Sequence, residues 1–172
     1  QVGQVAQPSP FCPNIAATPD GKQVWFTLKD IGKTVAFDAR PPFTILKVLD
    51  TGPITNHVNF ARTAKGQFAY VTVGGENTVR VFRTSDFAPV ATIPVGGRPE
   101  TAMADVSLGK IFVNLEDKNE VAVVDTKTHA VTARWPIAPH AGATGMAIDL
   151  AHKRLFLGAA GSNTLAMLDY TT

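Results

Sequence analysis

The stretch Thr63-Ala-Lys-Gly66-Gln-Phe-Ala-Tyr-Val-Thr-Val73, followed by Gly74-Gly-Glu-Asn77 and Thr78-Val-Arg-Val-Phe82, decides the fold. It reads as a tight turn, an apolar strand, a second turn and another strand. The same pattern occurs at Thr18-Pro-Asp-Gly21-Lys-Gln-Val-Trp-Phe26, at Val106-Ser-Leu-Gly109-Lys-Ile-Phe-Val113 and at Leu150-Ala-His-Lys153-Arg-Leu-Phe-Leu157. From Gly21 to Gly66, Gly109 and Lys153 the steps are 45, 43 and 44 residues, the period of a four-stranded propeller blade. Glycine suits a reversal that requires positive φ, so the turn at Lys153 is expected to differ.

The apolar runs Val24–Leu28, Phe68–Val73, Ile111–Leu115 and Leu155–Leu157 have the near-continuous hydrophobicity of strands covered on both faces. Third strands follow at Thr34–Asp38, Thr78–Phe82, Val121–Asp125 and Thr164–Asp169, and outer strands at Thr44–Leu49, Val90–Val95 and Val131–Ile137. Trp25, Phe26, Phe68, Tyr70, Phe112 and Phe156 on the second strands read as packing between blades. Asp38, Asp125 and Asp169, each ending a third strand, read as acceptors for main-chain N–H groups in the next turn.

The fold class is therefore all-β: a β-propeller of four-stranded blades, four to the chain. The expected division is residues 8–55, 56–99, 100–143 and 144–172, the last lacking its outer strand. Val2-Gly-Gln-Val5 resembles the outer-strand segment Val90-Ala-Thr-Ile93, so residues 1–7 are expected to close the last blade and leave no bare sheet edge.

The segment from Tyr70-Val-Thr-Val73 to Thr92-Ile-Pro-Val-Gly-Gly-Arg-Pro99 resembles the YVTN-type β-propeller repeat of bacterial and archaeal surface or secreted proteins. Phe112–Asp125 and Thr144–Asp149 are similar to the same repeat. The resemblance implies a periplasmic or extracellular setting, and a family whose members carry about seven blades where this chain encodes four. Four blades close on themselves only at roughly 90° per blade, whereas two chains about a two-fold axis make eight at roughly 45°. The homodimer, with residues 1–7 exchanged between partners, is the favoured expectation; a half excised or engineered from a longer propeller is compatible with it.

Composition excludes some classes of partner. With 16 Lys and Arg against 14 Asp and Glu, the formal charge is +2, too little for a broad nucleic-acid-binding field. No apolar run is long enough to cross a bilayer as a helix. Cys12, the sole cysteine, leaves the redox compartment open.

Candidate chemistry lies in the loops leading into the innermost strands, residues 7–14, 51–57, 96–100 and 138–144, which converge beside the central channel. Counting from the turn glycines puts Cys12, His57, Glu100 and Thr144 at equivalent positions, with Arg98 and His140 just upstream. Thiol, imidazole and carboxylate are the usual zinc donors, so Cys12, His57 and Glu100 are the candidate ligands for a divalent metal. No other cofactor is predicted. Asn14, Asn59 and Glu100 compare with the cation-holding Glu, Asn and Asp of gluconolactonase-like propellers, or else serve as strand-start hydrogen-bonding groups. No Gly-x-Ser-x-Gly elbow is present. The leading expectation is a non-catalytic binding or assembly module presenting these loops to a protein, glycan or small ligand. The alternative is a metal-dependent hydrolase or lyase working through Glu100 and His57.

Overall fold

The computed structural model describes residues 2–171, and its fifteen strands form four antiparallel sheets. Blade 1 comprises β1 (Ile15–Ala17), β2 (Gln23–Leu28), β3 (Lys33–Asp38) and β4 (Ile45–Asp50). Blade 2 comprises β5 (Thr55–Thr63), β6 (Gly66–Val73), β7 (Thr78–Arg83) and β8 (Pro89–Pro94). Blade 3 comprises β9 (Pro99–Asp105), β10 (Lys110–Leu115), β11 (Glu120–Asp125) and β12 (Ala130–Pro136). Blade 4 has three strands, β13 (Ala143–Asp149), β14 (Arg154–Ala159) and β15 (Thr164–Asp169). Within each sheet the strands lie side by side in chain order.

The blades stack face to face in sequence, each interface a separate apolar cluster. Trp25, Ala36, Phe60 and Val71 join blades 1 and 2; Tyr70, Val81, Ile111 and Val113 join blades 2 and 3; Phe112, Val123, Leu155 and Leu157 join blades 3 and 4. Trp25 is fully buried and meets Phe60 edge-on at 5.7 Å, a geometry that adds about 0.5–1.5 kcal/mol to the burial itself. Second strands covered on both sides explain why they read as unbroken apolar runs. Phe26 and Phe156 depart from the expectation for these aromatics: Phe26 lies on the face of blade 1 turned away from blade 2, and Phe156, half-buried, on the face of blade 4 turned away from blade 3.

No apolar cluster joins blade 4 to blade 1 among the described residues, and each end of the stack presents a sheet face. On blade 1 this face carries Ile15, Phe26, Phe37, Ile45 and Val48, three of them exposed. On blade 4 it carries Phe156, Leu165 and Met167, the last two 68% and 60% exposed. A contiguous exposed apolar surface of this kind marks a contact site.

The amino-terminal segment does not close blade 4 within this chain. Residues 2–14 form no strand, and Val2, Gly3 and Val5 lie with Phe26, Phe37 and Phe43 around a cleft of about 350 Å³ on the free face of blade 1. Gly3 sits so close to the Phe43 ring that a Cβ there would come within 2.2 Å of it. The nearest uncovered apolar sheet is thus covered first, since blade 4 lies at the other end of the stack. Residue 1 lies outside the described residues.

The turn at Lys153 also departs from expectation. Its φ is +55°, beside +68° at Gly21 and +64° at Gly109, so a lysine takes the same left-handed conformation as the glycines. Strain of about 1–2 kcal/mol is normal there for a residue with a side chain. The Lys153 ammonium compensates by reaching back to blade 3, 2.7 Å from Asp105 Oδ2 and 3.0 Å from Ser107 Oγ. Tyr170 donates its hydroxyl hydrogen to the same carboxylate at 3.1 Å.

The three aspartates at third-strand ends do what turn chemistry requires. Asp38 accepts from Arg40 N–H, Asp125 from Lys127 and Thr128 N–H, and Asp169 from Thr171 N–H. These bonds contribute, with their side-chain partners, to holding Asp38 and Asp125 at about 2.

Candidate functional site

The innermost strands β5, β9 and β13 begin side by side, fastened by a repeated cross-blade hydrogen bond. Thr27 donates its hydroxyl hydrogen to Asn56 O at 2.6 Å, Thr72 to Glu100 O at 2.7 Å and Thr101 to Thr144 O at 2.7 Å. Asn56 Nδ2 donates to Pro99 O at 3.0 Å and Asn114 Nδ2 to Ala143 O at 2.6 Å. Buried main-chain carbonyls at the strand starts are thereby satisfied by the preceding blade. The same bonds hold the candidate residues in a fixed row.

Within that row, Lys29, His57 and Glu100 form a polar group at the seam of blades 1, 2 and 3. Lys29 Nζ lies 3.9 Å from Glu100 Oε1, and His57 Nε2 lies 3.4 Å from Thr101 Oγ1. Burial pushes the Glu100 carboxyl above its ordinary range, with Lys29 acting in the opposite direction. Burial, assisted by the Lys29 charge, pushes His57 below its ordinary value, so the imidazole is neutral at pH 7. The group offers a carboxylate, an ammonium and a neutral imidazole, the means to hydrogen-bond a polar ligand. The hydroxyl beside the imidazole, on Thr101, is buried and donates its hydrogen to Thr144 O at 2.7 Å, so it is not set up as a nucleophile.

The other sequence candidates are committed elsewhere. Asn14, directly before β1, takes the anticipated strand-start role, its Oδ1 accepting from Val58 N–H at 2.9 Å, whereas Asn59 lies in the middle of β5 and its Oδ1 accepts from Phe60 N–H. Arg98 pairs with Glu116 at 2.8 Å, and its main-chain N–H donates to Asp117. His140 Nδ1 is 2.8 Å from Thr164 Oγ1 in blade 4. Thr144 contributes its carbonyl to the cross-blade row and exposes its side chain.

Cys12 is not the counterpart of His57. Val71 and Phe26 each lie five residues after their turn glycines; Val71 pairs with Val58, but Phe26 pairs with Ile15. Blade 1 is therefore shifted by two residues relative to its glycine, and Asn14 takes the place of His57. Cys12 is exposed beside the cleft over the free face of blade 1. Among the described residues no group of three or more His, Cys, Asp and Glu side chains comes together as a metal-ligand set, so Cys12, His57 and Glu100 do not converge.

Sequence reasoning missed Lys29, Asn56 and Thr101. Lys29 opens the turn after β2 and reads there as a surface charge; only the curvature of the stack carries it across to Glu100. Asn56 and Thr101 immediately adjoin His57 and Glu100, and a polar residue at this point of each repeat was the available signal.

No protein-family description and no curated protein matches the chain, so the YVTN-type resemblance rests on its residues alone. Solved structures do match. The chain is similar to hydrazine synthase from Kuenenia stuttgartiensis, with a TM-score of 0.82 at 19% identity over 96% of this chain and 47% of that one. It is similar to a chain of the mitotic checkpoint complex, with a TM-score of 0.81 at 14% identity over 94% and 51%. It is also similar to streptogramin B lyase, with a TM-score of 0.77 at 14% identity over 97% and 54%. At these identities the likeness shows the fold alone, a β-propeller arrangement of blades. The chain spans about half the length of the structures that it matches.

Proposed function

We propose that this chain is a non-catalytic binding and assembly module, a propeller half-ring that presents its inner-strand loops to a protein, glycan or small ligand. Two copies about a two-fold axis complete an eight-blade ring, the free face of blade 1 meeting the free face of blade 4 of the other copy. The observation that carries this reading is the pair of apolar sheet faces at the two ends of the stack that no other blade covers, that of blade 1 overlain only by the amino-terminal segment. Sheet faces bearing Phe, Leu and Met side chains are what every interior blade of this molecule covers with a neighbour. In that ring the amino-terminal segment leaves blade 1, and residues 1–7 of each chain pair with the bare edge of β15 in the other copy. A periplasmic or extracellular setting accompanies this reading through the YVTN-type resemblance.

The group at Lys29, His57 and Glu100 is the ligand-facing part of the module. Its lack of an activated nucleophile favours binding over hydrolysis. Leu165→Lys combined with Met167→Lys tests the assembly, because both side chains are exposed in the single chain and neither supports its fold. The variant is expected to be monomeric where the parent is dimeric; an unchanged particle mass contradicts the proposed interface. Elemental analysis tests the other half of the reading. Stoichiometric metal that disappears in the His57→Ala, Glu100→Ala double variant would favour the metal-dependent hydrolase or lyase instead.

A further inference from the structure

The groove between blades 3 and 4, at the end of the strands opposite to His57 and Glu100, is filled by the chain's own side chains. Lys153 and Tyr170 from blade 4 reach Asp105 and Ser107 of blade 3. Strand pairing identifies the corresponding positions one blade earlier. Asp105 pairs with Lys110 as Arg62 pairs with Gln67, each immediately after its turn glycine. Asp125 and Asp169 pair with Lys110 and Arg154, so Thr126 stands where Tyr170 does, and Gly109 where Lys153 does. In the groove between blades 2 and 3, then, Gly109 and Thr126 replace the two side chains that act as the plug. Arg62 replaces the carboxylate.

The space left is a cleft of about 480 Å³ lined by Arg62, Lys65, Gly109, Thr126 and Lys127, with Val106 and Leu108 along one wall. Its charge is distinctive. Among the described residues ten of the 16 lysines and arginines form ion pairs, and six do not: Lys22, Lys47, Arg62, Lys65, Lys127 and Arg154. Three of those six line this one cleft. The carboxylates directly preceding Val106 and Thr126 in the chain are engaged elsewhere, Asp105 with Lys153 and Asp125 with Lys110.

We infer that this cleft binds a small organic phosphate. Three cations without carboxylate partners suit a group bearing close to two negative charges and three acceptor oxygens. The Arg62 guanidinium is the natural bidentate partner for two of those oxygens. The Thr126 hydroxyl in the lining is a further donor, and the exposed Val106 and Leu108 side chains offer the carbon body an apolar wall. The site is separate from the proposed ligand-facing loops, and it does not depend on whether the ring is completed by a second copy.

Phenyl phosphate and inorganic phosphate, titrated against the isotope-labelled protein at constant ionic strength, test the proposal through the amide signals of Gly109 and Thr126. Both probes are expected to bind saturably, phenyl phosphate more tightly, and Arg62→Ala and Lys127→Ala each to weaken binding at least tenfold. These two side chains are exposed and make no ion pair among the described residues, so both variants are expected to fold. A second variant rebuilds the neighbouring plug: Arg62→Asp with Gly109→Lys and Thr126→Tyr is expected to abolish binding. Absence of saturable shifts, phenyl phosphate binding no more tightly than inorganic phosphate, or binding undiminished in Arg62→Ala would each overturn the inference.

Discussion

Replacing Asp105 by asparagine removes the charge at the centre of the seam between blades 3 and 4 while preserving the shape of the side chain. Asp105 is 1% exposed. Desolvation, the largest single influence, raises its pKa, but hydrogen bonds from Lys153, Ser107, Tyr170 and the Leu108 N–H together outweigh it and hold the carboxyl at about 2. Against an ordinary value of 3.8 that displacement corresponds to about 2–3 kcal/mol of folding stability at neutral pH. The asparagine variant also strands the Lys153 ammonium, which is 28% exposed and so recovers part of its hydration. A loss of about 2–3 kcal/mol is therefore expected in urea unfolding at pH 7, at one fixed protein concentration.

The pH dependence follows from the direction of the shift. A carboxyl held low when folded contributes stability that is fully present above its unfolded value and is lost as pH falls through the folded one. The gap between parent and variant should accordingly be constant from pH 7 to about 5 and shrink between about pH 4 and 2. The reasoning fails if the variant unfolds within about 0.5 kcal/mol of the parent, or if the gap keeps its full size down to pH 2.

Two further perturbations probe other parts of the structure. Gly3→Val puts a side chain where Phe43 already stands, the nearest ring carbon being 2.2 Å from the new Cβ; it should lift residues 2–7 from blade 1, seen as faster proteolytic trimming of the amino terminus with the blades intact. Trimming at the parental rate would contradict the contact. The His57 imidazole, with its pKa lowered by burial and by Lys29, should titrate with an NMR midpoint below 6.5. Its contribution to stability is present above pH 6.5 and lost as pH falls through that lower midpoint, and a midpoint above 6.5 would contradict its placement.

The blades were legible in the sequence because each is a local event, a turn signal followed by an apolar run, repeated at a fixed interval. Strand ends came within one or two residues for β2, β3, β4 and β7, since the alternation at Thr34–Asp38 or Thr78–Phe82 depends only on immediate neighbours. The candidate site was less legible. Counting from glycines misplaced Cys12 because one hairpin differs by two residues in register, and a shift of that size changes which residue reaches the channel without changing the face it lies on. Lys29 was missed because its partner Glu100 is two blades away in sequence. Lys153 was misread for a related reason, as the partner that makes its left-handed backbone tolerable is a carboxylate on the preceding blade.

The central claim, that a half-ring whose two end faces lack a neighbouring blade completes itself with a second copy, is tested most directly by the mass of the particle in solution, measured by light scattering or sedimentation across a range of concentrations. The account predicts a species of twice the 18.3 kDa chain mass. A strict monomer throughout that range would contradict it.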